Sequence, residues 1–257
     1  MNRTLYRYVR RKAGLLVHSL RQHHQKDVRI HDLSTRYDVN QLQTFQAVLE
    51  RNGFSLSRFS SILDFGCGYG RHIAQLVKII PKAHIFGCDI SQEYIEQCRD
   101  KYPQVHYVLN PVKPPIDFDN EQFDFIYSYS VFTHFSEDNH RAWLGELSRI
   151  LKPGGVMLHT THSYECLFRL QFWSPESLEK YKLPESIEKF TIPEKRYHYV
   201  PYSELTPEFG CPIISQGYVM SHWPEHSRSG IVDYVAGAIE AYNEGCQDII
   251  LMRKPLG

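Results

Sequence analysis

The sequence carries no surplus charge: 29 Lys and Arg balance 29 Asp and Glu over 257 residues. Nothing global therefore steers the chain toward nucleic acid or an anionic membrane. It lacks any C-x-x-C pair, and its six cysteines, at positions 67, 88, 98, 166, 211 and 246, show no metal-like spacing. A reduced, cytoplasmic setting is the expectation. No apolar run approaches the ~20 residues needed to span a bilayer. Repeats and low-complexity tracts are also missing. What remains is an ordinary globular composition, in a chain long enough to bury the core of one large α/β domain.

The most informative stretch runs from Ser60 to His72. A short apolar run, Ile62-Leu63-Asp64-Phe65, ends at three glycines on alternate positions, Gly66, Gly68 and Gly70. A helical pattern follows from Arg71 to Ile80, closed by Pro81. This reads as a buried strand, a tight turn and a helix start. Glycine permits positive φ and removes Cβ atoms, so a ligand can lie directly on the backbone. A dinucleotide-binding loop needs G-x-G-x-x-G, but Arg71 stands where its third glycine belongs. The pattern present is D-x-G-x-G-x-G.

A second buried strand, Ala83 to Asp89, ends in a carboxylate nineteen positions after Gly70. An acid at the carboxyl end of a parallel strand can accept both hydroxyls of a ribose. Ser91 is read instead as the N-cap of a helix over Gln92 to Lys101. Further on, the run Leu144-x-Glu146-Leu147-x-Arg149-Ile150-Leu151-Lys152-Pro153-Gly154-Gly155 closes a helix begun near Glu137. A fifth strand follows at Val156 to Thr160.

Motif, acid and run together resemble the class I S-adenosylmethionine (SAM) dependent methyltransferases, most strongly from Ser60 to His162 and again in the final strands. The resemblance implies a doubly wound, Rossmann-like α/β fold with a seven-stranded sheet whose last strand is antiparallel. It implies SAM as cofactor. Asp64, Gly66, Cys67, Gly68 and Gly70 would wrap the methionine half, with Asp64 on its ammonium group and Arg71 on its carboxylate. Asp89, with Ile90 beside it, would hold the ribose. Asn110 stands where the family often has an aspartate for the adenine amino group, and its side-chain oxygen can accept the same bond. Ser128 and Tyr129, leaving the fourth strand, would line the methionine portion.

The organisation expected is a basic helical arm over residues 1–39 and a methyltransferase domain over 40–257. The domain's first element is a helix from Asn40 to Asn52. In the arm, Arg3, Arg7, Arg10, Arg11, Lys12, Arg21, Lys26 and Arg29 face one acid, Asp27. The readings open to it are a solvated helix packed beside the domain, a membrane-surface helix, an organellar targeting segment, or a helix that closes over the active site. Aromatic residues crowd the segment from about 164 to 212, which suggests a packed cap rather than a linker. Two closing strands are expected at Gly230–Gly237 and Gln247–Lys254.

Methyl transfer needs proximity, alignment and a dry pocket, and a base only where the acceptor must lose a proton. His134 and His162, leaving the fourth and fifth strands at the ligand edge, are the candidate catalytic residues. No metal is expected. His159 and His162 would point to opposite strand faces, and Pro224 interrupts the helix that would align His222 with His226. Signatures of amino-directed DNA and protein arginine methyltransferases are missing. The expected acceptor is a small molecule rather than nucleic acid, with a hydroxyl of a sugar, glycan or secondary metabolite foremost. Methylation of a small amine and a non-catalytic SAM-binding scaffold are the alternatives.

Overall fold

A computed structural model describes residues 30–81, 83–162, 196–241 and 245–257. Five parallel strands come first: β1 Ser61–Phe65, β2 His84–Asp89, β3 His106–Leu109, β4 Phe123–Ser128 and β5 Leu151–His162. A hairpin follows, β6 Tyr197–Pro201 and β7 Gly210–Ile214, and then β8 Gly230–Ala241 and β9 Gly245–Arg253. The main sheet has the order β3-β2-β1-β4-β5-β9-β8, and β9 is antiparallel to both of its neighbours. This is the doubly wound, seven-stranded sheet expected, with β9 as its single reversed strand.

Helices α1 Ile30–Arg51, α2 Ile73–Ile79 and α3 Gln92–Lys101 precede α4 Glu137–Ile150 and α5 Gln216–Ser227. Both sheet faces are covered, as uninterrupted apolar strands require. One core joins Leu42, Phe45 and Leu49 of α1 to Ile62, Phe125, Tyr127 and Leu158 of the sheet. The other joins Leu63, Ile126, Met157 and Ile250 to Trp143 and Leu147 of α4 and Trp223 of α5. Alternation along the strands assigns neighbouring residues to opposite cores.

Several boundaries differ from expectation. Helix α1 starts ten residues before Asn40 and crosses the expected limit at residue 39, so arm and domain are not divided there. Residues 1–29, which hold the basic cluster, lie outside the described residues. The first crossover helix begins at Ile73, because Gly70 to His72 are spent on the turn. Strand β5 begins at Leu151: Lys152 to Gly155 form a bulge inside the strand, where pairing jumps from Phe123–Leu151 to Phe125–Val156. Gly154, at φ +75, makes that bulge possible.

Within the signature run, Glu146 accepts from the Ile116 amide at 2.8 Å and pairs with Arg149 at 2.7 Å. Arg149 also reaches the Ile116 carbonyl, so the run clamps the proline-rich loop after β3. Ser91 caps α3, accepting from the Tyr94 amide. Most of the expected cap, residues 163–195, lies outside the described residues. Its remainder is the β6–β7 hairpin, followed by α5 against α4. Pro224 sits inside α5, so the helix runs through it and the His222 and His226 rings lie 6.3 Å apart on one side. The interruption expected at Pro224 does not occur.

Candidate active site

The loop after β1 is held from beneath. The amides of Gly66 and Cys67 both donate to the Cys88 carbonyl at 2.9 Å, fixing the turn to the end of β2. Gly66 adopts φ +82, and a Cβ there would lie 2.3 Å from a Val131 methyl. Gly68, at φ +52, has nothing within 4 Å of its missing Cβ. Its amide donates to Asp89 Oδ2 at 2.9 Å, while Asp89 Oδ1 accepts from the Ser91 amide at 2.9 Å. Gly70 faces the opposite way, with Cys98 Sγ 3.0 Å from its missing Cβ. The three glycines thus have three separate reasons: a close approach, an open floor and packing on α3.

The open floor belongs to a cavity of about 350 Å³. Asp64, Gly66, Cys67, Gly68, Arg71 and Tyr129 all line it, as do Tyr69 and His72, which the sequence reading did not include. Asp64 is only 3% exposed. Burial pushes its carboxyl up to about 7; the Tyr127 hydroxyl and Arg71 pull it down, and Asp89 pushes it further up. Asp89 is likewise raised by burial, against the amide bonds that favour its anion. Arg71 lies 5.7 Å over the Tyr129 ring.

Helix α1 packs behind the Tyr129 and His72 wall of the cavity. Gln41 donates to the Tyr129 hydroxyl at 2.8 Å, and its oxygen lies 3.3 Å from His72 Nε2. Burial lowers His72 to about 3, so it is neutral at physiological pH. The ring of Phe45 packs against those of His72, Tyr127 and Tyr129. Sequence distance hides these partnerships. The position of His72 directly after the glycine loop was the one available signal.

Other expected cofactor residues lie around this cavity rather than on its wall. Asn110 is buried beside Asp89, its amide donating to the Asp89 carbonyl at 3.0 Å. Its Nδ2 donates to the Pro111 carbonyl, and its Oδ1 has no partner. Ile90 packs its side chain onto the core beneath the sheet. Ser128 is fully buried, with its hydroxyl 2.8 Å from His159 Nδ1 on the sheet face opposite Tyr129, so only its backbone is left for a ligand.

His134 and His162 sit on the other side of β4, under the hairpin. His134 Nδ1 lies 2.5 Å from the Tyr202 hydroxyl, and its carbonyl accepts from the Gly210 amide at 2.8 Å. His162 faces the Pro212 carbonyl and lies near enough to His134 for a charge there to oppose its own. Burial lowers His134 to about 4 and His162 to about 3. The structure therefore brings the two histidines together but outside the glycine-loop cavity. Between the sites, Ser130 adopts φ +57, with its amide on Thr160 Oγ1 at 2.8 Å and its hydroxyl accepting from Gln247 at 3.0 Å.

The cavity fits SAM. A buried carboxyl at the wall suits an ammonium group. The open floor at Gly68 leaves room for a ligand against the backbone, and nearby Asn110 Oδ1, buried and without a partner, is a spare acceptor beside Asp89. Comparison with known proteins agrees. Residues 62–155 match the family described as a methyltransferase domain. A tRNA (carboxymethyluridine(34)-5-O)-methyltransferase of Arabidopsis thaliana is 38% identical over 113 residues, covering 43% of this chain and 26% of that protein. A malonyl-[acyl-carrier protein] O-methyltransferase of Salmonella typhimurium is 34% identical over 104 residues, covering 40% of this chain and 39% of its own length.

Among solved structures, a SAM-dependent methyltransferase from Mesorhizobium loti aligns with a TM-score of 0.58 at 16% identity, over 82% of this chain and 98% of that one. A 1,6-didemethyltoxoflavin-N1-methyltransferase from Burkholderia thailandensis, bound to S-adenosylhomocysteine, aligns at 0.55 and 14% identity, over 90% and 93%. Residues 62–155 thus match a methyltransferase domain, and the fold is shared with solved SAM-dependent methyltransferases. The chain spans only about a quarter to two fifths of the curated relatives just described. Those relatives are named for different acceptors, tRNA among them. The expectation that nucleic acid is no substrate, drawn from zero net charge, therefore has no support here. No helix among the described residues is long and apolar enough to cross a membrane.

Proposed function

We propose that the chain is a SAM-dependent methyltransferase whose acceptor is a small molecule, with a hydroxyl of a sugar, glycan or secondary metabolite as the methylated group. The observation that supports it most is Asp64: a buried carboxyl on the wall of an open cavity, poised to ionise when a cation arrives. In this reading Asp64 and Arg71 bind the amino-acid end of the cofactor, Asp89 the ribose and Asn110 the adenine amino group. When bound, SAM supplies an electrophilic methyl on a positively charged sulfur. The chain aligns that end on the glycine loop, with the Tyr129 wall held in place by Gln41 and Phe45 of α1.

His134 is the proposed contact to the acceptor hydroxyl, and His162 a second. Being neutral, both rings can accept a proton. The His134 tautomer that donates from Nδ1 to Tyr202 leaves Nε2 as the basic atom. A ring depressed to about 4 is a weak base, so its first task is to orient the hydroxyl by accepting its hydrogen bond.

The likeness to the Arabidopsis protein supports a second reading, in which the acceptor lies on tRNA. Transfer of labelled methyl from SAM to parallel panels separates these: neutral sugars and phenols, small amines, and bulk tRNA. Label in the first panel is expected. Label confined to amines or to tRNA overturns the small-hydroxyl reading. SAM binding without transfer in any panel favours the scaffold alternative.

A further inference from the structure

Two thiols meet beneath the cofactor loop. Cys67 sits between the first two glycines and lines the cavity; Cys98 lies on α3 directly behind it. Both are directed at one atom, the Gly68 carbonyl oxygen, at 3.9 Å from Cys67 Sγ and 3.3 Å from Cys98 Sγ. Grouped around this one acceptor, the two sulfurs are near enough for each to shift the ionisation of the other. Cys98 Sγ packs against Gly70 as well, so this thiol touches two of the three loop glycines. Both cysteines are free and buried, Cys67 at 6% exposure and Cys98 at none. Access is therefore asymmetric: a small solute entering the cavity meets Cys67 and not Cys98.

We propose that Cys67 and Cys98 are a disulfide-forming modification site that closes the cofactor cavity when oxidised, and that bound SAM protects it. The inference rests on the reading of this cavity as the cofactor site. The oxidant is a hydroperoxide, small enough to enter. Its O–O bond breaks as the Cys67 sulfur takes one oxygen; the thiol becomes a sulfenic acid and the other oxygen leaves as water or alcohol. The Cys98 sulfur then attacks the Cys67 sulfur, the S–O bond breaks, and water departs with the remaining proton. Two thiols are oxidised by two electrons and one peroxide is reduced.

The second step rests on proximity: both sulfurs are held around the Gly68 carbonyl, so Cys98 is the thiol placed to attack an oxidised Cys67. The first is slow, because the Cys98 contact, then burial and the nearby carboxyls of Asp64 and Asp89, raise the Cys67 thiol and oppose its thiolate. The site therefore reports sustained peroxide rather than a brief pulse. Bridging would pull Cys67 toward α3, remove both S–H donors from the Gly68 carbonyl and disturb the adjacent Gly68 amide that holds Asp89.

The test treats the reduced, full-length chain with excess hydrogen peroxide, with and without saturating SAM. Peptide mass spectrometry then maps disulfides, and calorimetry gives SAM affinity before treatment, after it and after re-reduction. The expected result is a Cys67–Cys98 bridge, SAM affinity lower by at least about tenfold, full recovery with dithiothreitol, and suppression of the bridge by SAM. The variant Cys98→Ser keeps a donor toward Gly68 and should form no bridge. Peroxide-treated wild type that stays folded without a Cys67–Cys98 bridge overturns the inference, as does a bridged protein that binds SAM normally. Reduced protein that fails to bind SAM overturns the site reading itself, and this inference with it.

Discussion

The surroundings of the glycine loop and those of His134, the proposed acceptor contact, are built in opposite ways. Around the glycine loop the contacts come largely from main chain and short stretches: Gly66 and Cys67 amides on the Cys88 carbonyl, the Gly68 amide on Asp89, Asp89 on Ser91. Around His134 they join distant segments: Tyr202 to its ring, the Gly210 amide to its carbonyl, and Tyr197 to the Phe135 carbonyl at 2.7 Å. A backbone cradle tolerates few side-chain choices, whereas a site closed by a hairpin from elsewhere can be re-lined without disturbing the sheet. That is why one domain type serves relatives named for such different acceptors.

The sharpest way to break the comparison is Asp64→Ala. It should weaken SAM binding by at least about 100-fold while the fold persists, read by calorimetry and circular dichroism. Unchanged affinity would remove Asp64 from the site. The two loop glycines then separate strain from occupancy. Gly66→Ala places a Cβ against Val131 at positive φ and should cost about 2–4 kcal/mol of stability in a denaturant titration. Gly68→Ala meets no protein atom, so it should fold with a loss nearer 1 kcal/mol yet still lose SAM affinity, because its Cβ enters the cavity. Equal effects of the two would contradict the open floor at Gly68.

On the acceptor side, His134→Ala should slow methyl transfer by roughly ten- to a hundredfold and leave SAM affinity alone. Tyr202→Phe, which removes only the partner hydroxyl, should cost a few-fold at most. A fall in SAM affinity with either would join the two regions that the structure keeps apart.

The pH response has a sign that follows from Asp64. Its carboxyl must be ionised to bind an ammonium group, so SAM affinity should fall about tenfold per pH unit below about 7. The same raised pKa affects folding in the opposite direction. Its contribution to stability is complete below the ordinary value of 3.8 and is lost as pH rises to about 7. Affinity that stays flat between pH 5 and 8 would refute the assignment. The smallest effect is expected of Ser128→Ala, which should leave SAM affinity within about twofold while leaving His159 Nδ1 unsatisfied, a loss of about 1–3 kcal/mol in stability.

What the sequence could show divides along the same line. The positions of the first five strands along the chain, the cap at Ser91 and the glycine loop follow from local chemistry: apolar runs, a hydroxyl before a helix, glycines where φ is positive. Asp64 and Arg71 were readable because they lie beside that loop. Gln41 was not, because its partners Tyr129 and His72 lie 88 and 31 positions away. Ser128 was read onto the cofactor because it ends β4 beside Tyr129. Strand alternation turns it to the opposite face, where His159 waits. The bulge at Lys152 to Gly155 looked like a turn because proline and paired glycines serve both. Residues 1–29 of the basic arm and 163–195 of the cap lie outside the described residues, and with them the expected contacts of both.

The most direct measurement is calorimetric titration of the purified protein with SAM, S-adenosylhomocysteine and NADH. Binding of both sulfur compounds at micromolar affinity, and none of NADH, is the predicted result. Binding of NADH, or of neither sulfur compound, would contradict the assignment of the Asp64–glycine cavity as a SAM site.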